Sequence, residues 1–190
     1  FCLPADGIGL DQKRRTTQAL LASGAGIDEV NCVRKHLSKV KGGGLAQIAY
    51  PARLINLILS DVIGDRIDTI ASGITAPDPT TFQDALSIVH QYELDGRLPE
   101  PVMDRLVRGA RGEVAETPKE GNPIFRNSVH VILGSNSLAC TAAQASAQKM
   151  GYEAQILSTT LSGEAAEAGK CFAQLAKAIN EGKSPTAKPA

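Results

Sequence analysis

Four aspartates fall within residues 60–79, SDVIGDRIDTIASGITAPDP: Asp61, Asp65, Asp68 and Asp78. An apolar run, Leu54–Leu59, ends immediately before them. In open α/β sheets, ligands bind beyond the carboxyl ends of the strands. Carboxylates in that position suit Mg²⁺, which takes one or two protein carboxylates and completes its shell with water and phosphate oxygens. Composition alone also allows a plainer reading, in which aspartate and glycine simply make turns and Asp78-Pro79 is a turn pair.

A second strand end reads LGSNSLA, where Gly134, Ser135 and Asn136 precede a helical pattern. The first amides of a helix need acceptors, so this terminus could take an anion such as a nucleotide phosphate. The spacing is neither GxGxxG nor a P-loop, and Ser135 or Asn136 could serve as an ordinary N-cap. A third candidate lies on a predicted helix over 27–41. There Asn31, Arg34 or Lys35, Ser38 and Lys41 fall at i, i+3/i+4, i+7 and i+10, a polar stripe beside the apolar one. Its cations could hold a carboxylate or a phosphate, or could form a solvated face that complements the helix dipole. His36, His90 and His130 share no spacing with one another or with the cysteines, so they suggest neither a metal site nor a Ser-His-Asp set.

The elements that must position these groups follow from periodicity. Leu54–Leu59, Ser128–Leu133 and Ala154–Leu157 read as strands. Ile27, Val30, Val33, Leu37 and Val40 mark the helix over 27–41, stopped by Gly42, Gly43 and Gly44. Phe82, Leu86 and Val89 mark another, with Thr80 and Gln83 spaced as a capping box. Helices are also predicted over about 136–150, ending at Gly151, and along the stripe Leu161, Ala165, Ala168, Phe172, Leu175 and Ile179. Pro99–Arg108 suits a short helix, and RGEVAETPKEGNP after it reads as an exposed loop without chemistry. The unit from Ser128 to Leu157 is strand–helix–strand, which implies a parallel sheet and the α/β class.

Composition bounds the function. The 190 residues are 43% apolar and 21% charged, with 20 basic and 20 acidic side chains. That balance leaves no footprint for nucleic acid or an acidic membrane surface, and no apolar run is long enough to span a bilayer. Cys2, Cys32, Cys140 and Cys171 lack CxxC spacing, which fits thiols in a reducing compartment, cytoplasm or an organelle matrix. No secretory signal is visible at the N-terminus. The chain opens on Phe1 and closes on EGKSPTAKPA, so truncation at both ends is expected, with 181–190 a linker towards a further domain.

Taken in order, the segments resemble the glycerate 2-kinase family. The landmarks are Asn31, Val33 to Leu37 with Ser38, Lys41 to Gly43 with Leu45 and Ala46, and Pro51-Ala52. They continue through Ser60-Asp61, Gly64-Asp65, Ala71-Ser72-Gly73 and Pro77-Asp78-Pro79-Thr80, then Gly134-Ser135-Asn136 and Gly163-Glu164. The resemblance implies transfer of the ATP γ-phosphoryl group to the 2-hydroxyl of D-glycerate with Mg²⁺. It also implies a Rossmann-like three-layer fold, of which residues 1–180 would be the central part of the first domain, and a site in a cleft between two domains.

On that footing Asp61 and Lys41 are the catalytic candidates. Asn31, Arg34, Lys35, Ser38, Ser72 and Gly73 would face substrate. Gly134, Ser135, Asn136 and Glu164 would face ATP, and Asp61 and Asp65 the metal. Glycerate and ATP are the expected partners, with a homodimer as an option. The family's Gly-Lys-Ala turn falls upstream of Phe1 and its glycine-rich, arginine-bearing segment downstream of Ala190; Ile74 stands where a proline often follows Ser-Gly. The 190 residues alone are therefore expected not to turn over glycerate. The competing expectation is a non-catalytic Rossmann-like module that binds a small sugar acid or a nucleotide.

Overall fold

The computed structural model describes residues 2–182. The element order is α1 (Leu10–Ala22), α2 (Ile27–His36), α3 (Gly44–Ala49), β1 (Leu54–Leu59), α4 (Phe82–Gln91), α5 (Glu100–Ala110), β2 (Ser128–Gly134), α6 (Asn136–Lys149) and α7 (Ala165–Asn180). β1 and β2 pair directly. Asn56 reaches the Val129 carbonyl, and four residues on, the Ser60 N–H reaches the Gly134 carbonyl. The register thus advances in the same direction along both strands, which makes the pair parallel and the class α/β with flanking helices.

Two compact units emerge, one comprising Phe1–Ile58 and Arg66–Ile132, the other Leu59–Asp65 and Leu133–Ala190. The first holds the core. α2, α4 and α5 pack Val30, Val33, Phe82, Val89, Val102 and Leu106 to near-complete burial, each contributing roughly 1.5–3 kcal/mol. At Gly109 on α5, an added Cβ would lie 2.2 Å from the Phe82 ring, so the α4–α5 contact needs a glycine there. In the second unit, α6 and α7 carry no buried side chain.

Three expectations change. The helix predicted over 27–41 stops at His36, because the next residues pair with the N-terminal segment instead. The Ala5 N–H bonds the Leu37 carbonyl, the Lys39 N–H bonds the Leu3 carbonyl, and Pro4 bridges Ser38. The capping box of α4 is Thr81–Asp84, one residue on from Thr80–Gln83. Residues 154–157 form no strand, since a strand exists only with a ladder partner and none of the described residues supplies one. Of the expected linker, residues 183–190 lie outside the described residues.

Candidate functional site

The segment after β1 owes its shape to three consecutive left-handed residues, Ala71 (φ 53°), Ser72 (φ 61°) and Gly73 (φ 61°). For the two that carry a Cβ this costs roughly 1–2 kcal/mol each. Neighbouring backbone holds them there. The Gly42 N–H donates to the Ser72 carbonyl at 3.0 Å, and the Gly43 N–H to the Gly73 carbonyl at 2.7 Å. At Gly73 a Cβ would sit 2.7 Å from the Asp68 carbonyl oxygen, so no other residue fits. Strain over-determined in this way concentrates at functional sites.

A polar chain is built on this platform. Lys41 Nζ donates to the Ala71 carbonyl at 3.1 Å and to Ser72 Oγ at 3.2 Å. Ser72 Oγ donates in turn to Asn31 Oδ1 at 3.0 Å, and Arg34 Nη1 donates to the same oxygen at 3.3 Å. Asn31, Lys41 and Ser72 are all buried. Burial first, then the Arg34 charge, pushes the Lys41 pKa below that of an ordinary lysine. Among the described residues no carboxylate pairs with Arg34 or Lys41. Such an arrangement can hold an anion.

Lys35 and Ser38 are engaged differently. Lys35 Nζ lies 3.1 Å from Asp78 Oδ1, an ion pair with both side chains buried. Asp78 also accepts from the Thr80 N–H (3.0 Å), Thr80 Oγ1 (2.7 Å) and Thr117 Oγ1 (2.9 Å). Burial alone would raise its pKa, but the Thr80 hydrogen bonds and the Lys35 charge outweigh burial and hold it low. Ser38 Oγ donates to the Leu3 carbonyl and accepts from the Val40 and Lys41 N–H groups, which shapes the turn carrying Lys41. Lys35, Ser38, Lys41, Arg105 and Glu116 help line a cleft of about 280 Å³.

The sequence reading missed two contributors. The loop at 111–123 was expected to carry no chemistry, yet Thr117 binds Asp78, and Glu116 accepts from the Phe82 N–H at 2.8 Å and lies 3.3 Å from His36 Nε2. Lys13, on α1, is 4% exposed and its Nζ has no hydrogen-bond partner. Burial, offset by the Cys2 thiol and reinforced by Lys41 and Arg34, lowers its pKa to about 8.

The second unit carries the other candidates. Asp61 is exposed, and it lines one open recess with Ser60, Gly134, Ser135 and Asn136, so the acidic strand end and the α6 N-terminus meet. Ser135 is the N-cap, its Oγ accepting from the Leu138 N–H at 3.4 Å. Asn136 is held by its own bond to the Thr159 carbonyl at 2.7 Å. Asp65 sits in the left-handed region with φ 53°. Glu164 is an exposed N-cap of α7 and does not line the recess.

The comparisons bear on what these two groups of residues belong to. Residues 1–107 match a family described as a domain of unknown function, DUF4147. The chain belongs to that family. It is 46% identical over 189 residues to a protein of Pyrococcus horikoshii named glycerate 2-kinase, covering 100% of this chain and 42% of that one. A protein of Agrobacterium vitis named putative hydroxypyruvate reductase is 44% identical over 187 residues, 98% of this chain and 40% of its own. The crystal structure of a Thermotoga maritima glycerate kinase superposes with a TM-score of 0.81 at 39% identity, covering 100% of this chain and 43% of that one. The chain thus spans about two-fifths of the length of the relatives it matches. The resemblance to glycerate 2-kinases holds along its whole length, and the fold is a Rossmann-like α/β arrangement. No described helix is long and apolar enough to cross a membrane.

Proposed function

We propose that this DUF4147 chain supplies part of an ATP-dependent kinase that phosphorylates the 2-hydroxyl of D-glycerate, giving 2-phosphoglycerate. The observation that carries the reading is the Arg34–Asn31–Ser72–Lys41 chain, buried at all but the half-buried Arg34, whose two cations have no carboxylate partner among the described residues. A site of that kind favours an anionic substrate, and similarity to proteins named glycerate kinase supplies the substrate class. Phosphoryl transfer asks the protein for charge neutralisation and positioning more than for covalent chemistry.

In this reading Arg34 and Lys41 hold carboxylate or phosphoryl oxygens, with Asn31, Ser72 and Gly73 fixing their geometry. Lys35 and Ser38 act through the Asp78 pair and the Lys41 turn. Gly134, Ser135 and Asn136, with Glu164, serve the ATP side, where the first amides of α6 suit phosphate oxygens. Asp61 and Asp65 present the hard oxygen donors that fit Mg²⁺, and in this reading Asp61 would also orient the attacking hydroxyl. Bound Mg²⁺ would supply neutralisation of phosphate charge.

The full-length protein, given ATP, Mg²⁺ and D-glycerate, is expected to form 2-phosphoglycerate, and the 190 residues alone to form none. Formation of 3-phosphoglycerate, or nicotinamide-dependent reduction of hydroxypyruvate without phosphorylation, would overturn the reading. Asp61→Asn and Lys41→Ala should each lower kcat by roughly 10²–10⁴-fold in the full-length protein. Unchanged Mg²⁺ and glycerate dependence in both variants would remove these site roles and leave the family membership intact.

A further inference from the structure

α1 turns an unusual face inward, since its buried residues are Lys13, Thr16 and Leu20. Thr16 satisfies its hydroxyl on the Gln12 carbonyl at 2.9 Å. Lys13 has no such outlet, its ammonium being buried without a hydrogen-bond partner among the described residues. A lysine kept only for its aliphatic stem lets its head reach water, and an unpaired buried polar group is expensive. Among the described residues the titratable groups whose fields reach Lys13 are Cys2 of the N-terminal segment, Arg34 of α2 and Lys41 of the following turn. Two of the three are cations. The acceptors around that pair, Asn31 Oδ1, Ser72 Oγ and the Ala71 carbonyl, are already taken by Arg34 and Lys41. What the cluster lacks is an acceptor for Lys13.

We propose that Lys13, Arg34 and Lys41 together form a binding site for a small oxyanion, with the Lys13 ammonium donating to its oxygens. The proposal rests on the substrate-side placement of Arg34 and Lys41 made above, and adds a residue that lies outside every motif of the sequence. A carboxylate and a phosphate present the same oxygen chemistry to three such donors, so glycerate and inorganic phosphate are the two probes. An anion there gives the buried amine its missing partner and favours its protonated state.

The test is calorimetric titration of each probe into the full-length protein, wild type and Lys13→Met, at low salt and pH 7.5. The variant is expected to weaken whichever probe the wild type binds by roughly ten- to a hundredfold, and the probe that binds names the source of the oxyanion. Affinities within about twofold of wild type, or no binding of either probe to wild type, overturn the site. A measurement on wild type needs no variant to fold: binding of glycerate at pH 8.5, in buffers of different ionisation enthalpy, should take up a fraction of a proton. A Cys2→Ser background keeps the thiol out of that reading, and zero uptake on binding also overturns the site. Lys13-dependent anion binding without ATP-dependent turnover supports the site and overturns only the kinase reading. Turnover that survives Lys13→Met with unchanged affinity does the reverse.

Discussion

The strained platform at Ala71–Gly73 and the acidic strand end at Asp61 differ in how firmly each is held. Around the platform, backbone bonds from Gly42 and Gly43, the Lys41–Ser72–Asn31 chain and the neighbouring Lys35–Asp78 pair fix the polar groups in a buried setting. At the strand end Asp61 is exposed, and Asn136 is tied by its amide to the Thr159 carbonyl and accepts from the Cys140 thiol within its own helix. Groups fixed before a ligand arrives cost no reorganisation when it binds. On the proposed reading the first region would receive the substrate in groups already fixed, whereas the second would offer donors that metal and phosphate have to organise.

Removing one carboxylate from each region breaks the comparison most sharply. Asp78→Ala leaves Lys35 buried and unpaired and takes the acceptor from the Thr80 and Thr117 hydroxyls, so a loss of about 3–5 kcal/mol in urea unfolding is expected. Asp61→Asn should stay within about 0.5 kcal/mol of wild type, as befits an exposed side chain with no hydrogen-bond or ion-pair partner among the described residues. Comparable destabilisation by the two would mean that the strand end is as tightly built as the platform.

The titration of the buried groups gives the next effect. Lys13 has its pKa lowered from an ordinary 10.5 to about 8, so between those values the unfolded chain binds more protons than the folded one. Stability from this group therefore rises as pH climbs from about 8 towards 10.5, by about 3 kcal/mol in the absence of an oxyanion. Lys13→Met should flatten that rise and be more stable than wild type near pH 7. Asp78 carries the opposite sign. Its depressed pKa contributes stability that is present above the usual aspartate range and is lost as pH falls through its folded value. Unfolding free energies of wild type and Lys13→Met across pH 7–10.5 check the alkaline limb, and identical curves would deny the buried amine its charge penalty.

How much of this was legible depends on what each residue had to contact. β1, β2, α6 and α7 follow from apolar runs and caps, because those signals lie within each segment and need no distant contact to be read. α2 was overdrawn to residue 41 because nothing within 27–41 records that Leu3 and Ala5 take its last amide and carbonyl groups. α1 left little trace, since two of its three buried residues are Lys13 and Thr16, and a search for apolar periodicity passes over a helix that buries polar groups. Within Lys13-Arg14-Arg15 the first cation is no different in type from its exposed neighbours. The polar cluster at Asn31, Arg34 and Lys41 was visible as a stripe, but its partner Ser72 is 41 positions from Asn31 and entered only through family resemblance.

The smallest effect probes whether the platform's strain serves binding. Ala71 is exposed, and only its carbonyl is used, accepting from Lys41. Ala71→Gly relieves roughly 1–2 kcal/mol of left-handed strain and gives back about 0.4–1 kcal/mol through the freer unfolded chain. A net gain of about 0.5–1 kcal/mol is expected. If the strained turn presents the Ala71 carbonyl in fixed geometry, the same variant should weaken glycerate or phosphate binding about two- to threefold, because Lys41 loses a preorganised acceptor. Gly64→Ala supplies the mirror test in the acidic segment. Gly64 has φ 76° with open space around its Cα, so alanine there introduces strain without a clash. It should cost about 1 kcal/mol and leave anion affinity untouched. Opposite stability changes with an affinity change confined to Ala71→Gly would tie the strain to the receptor. Equal affinities in both variants would reduce it to a local backbone preference.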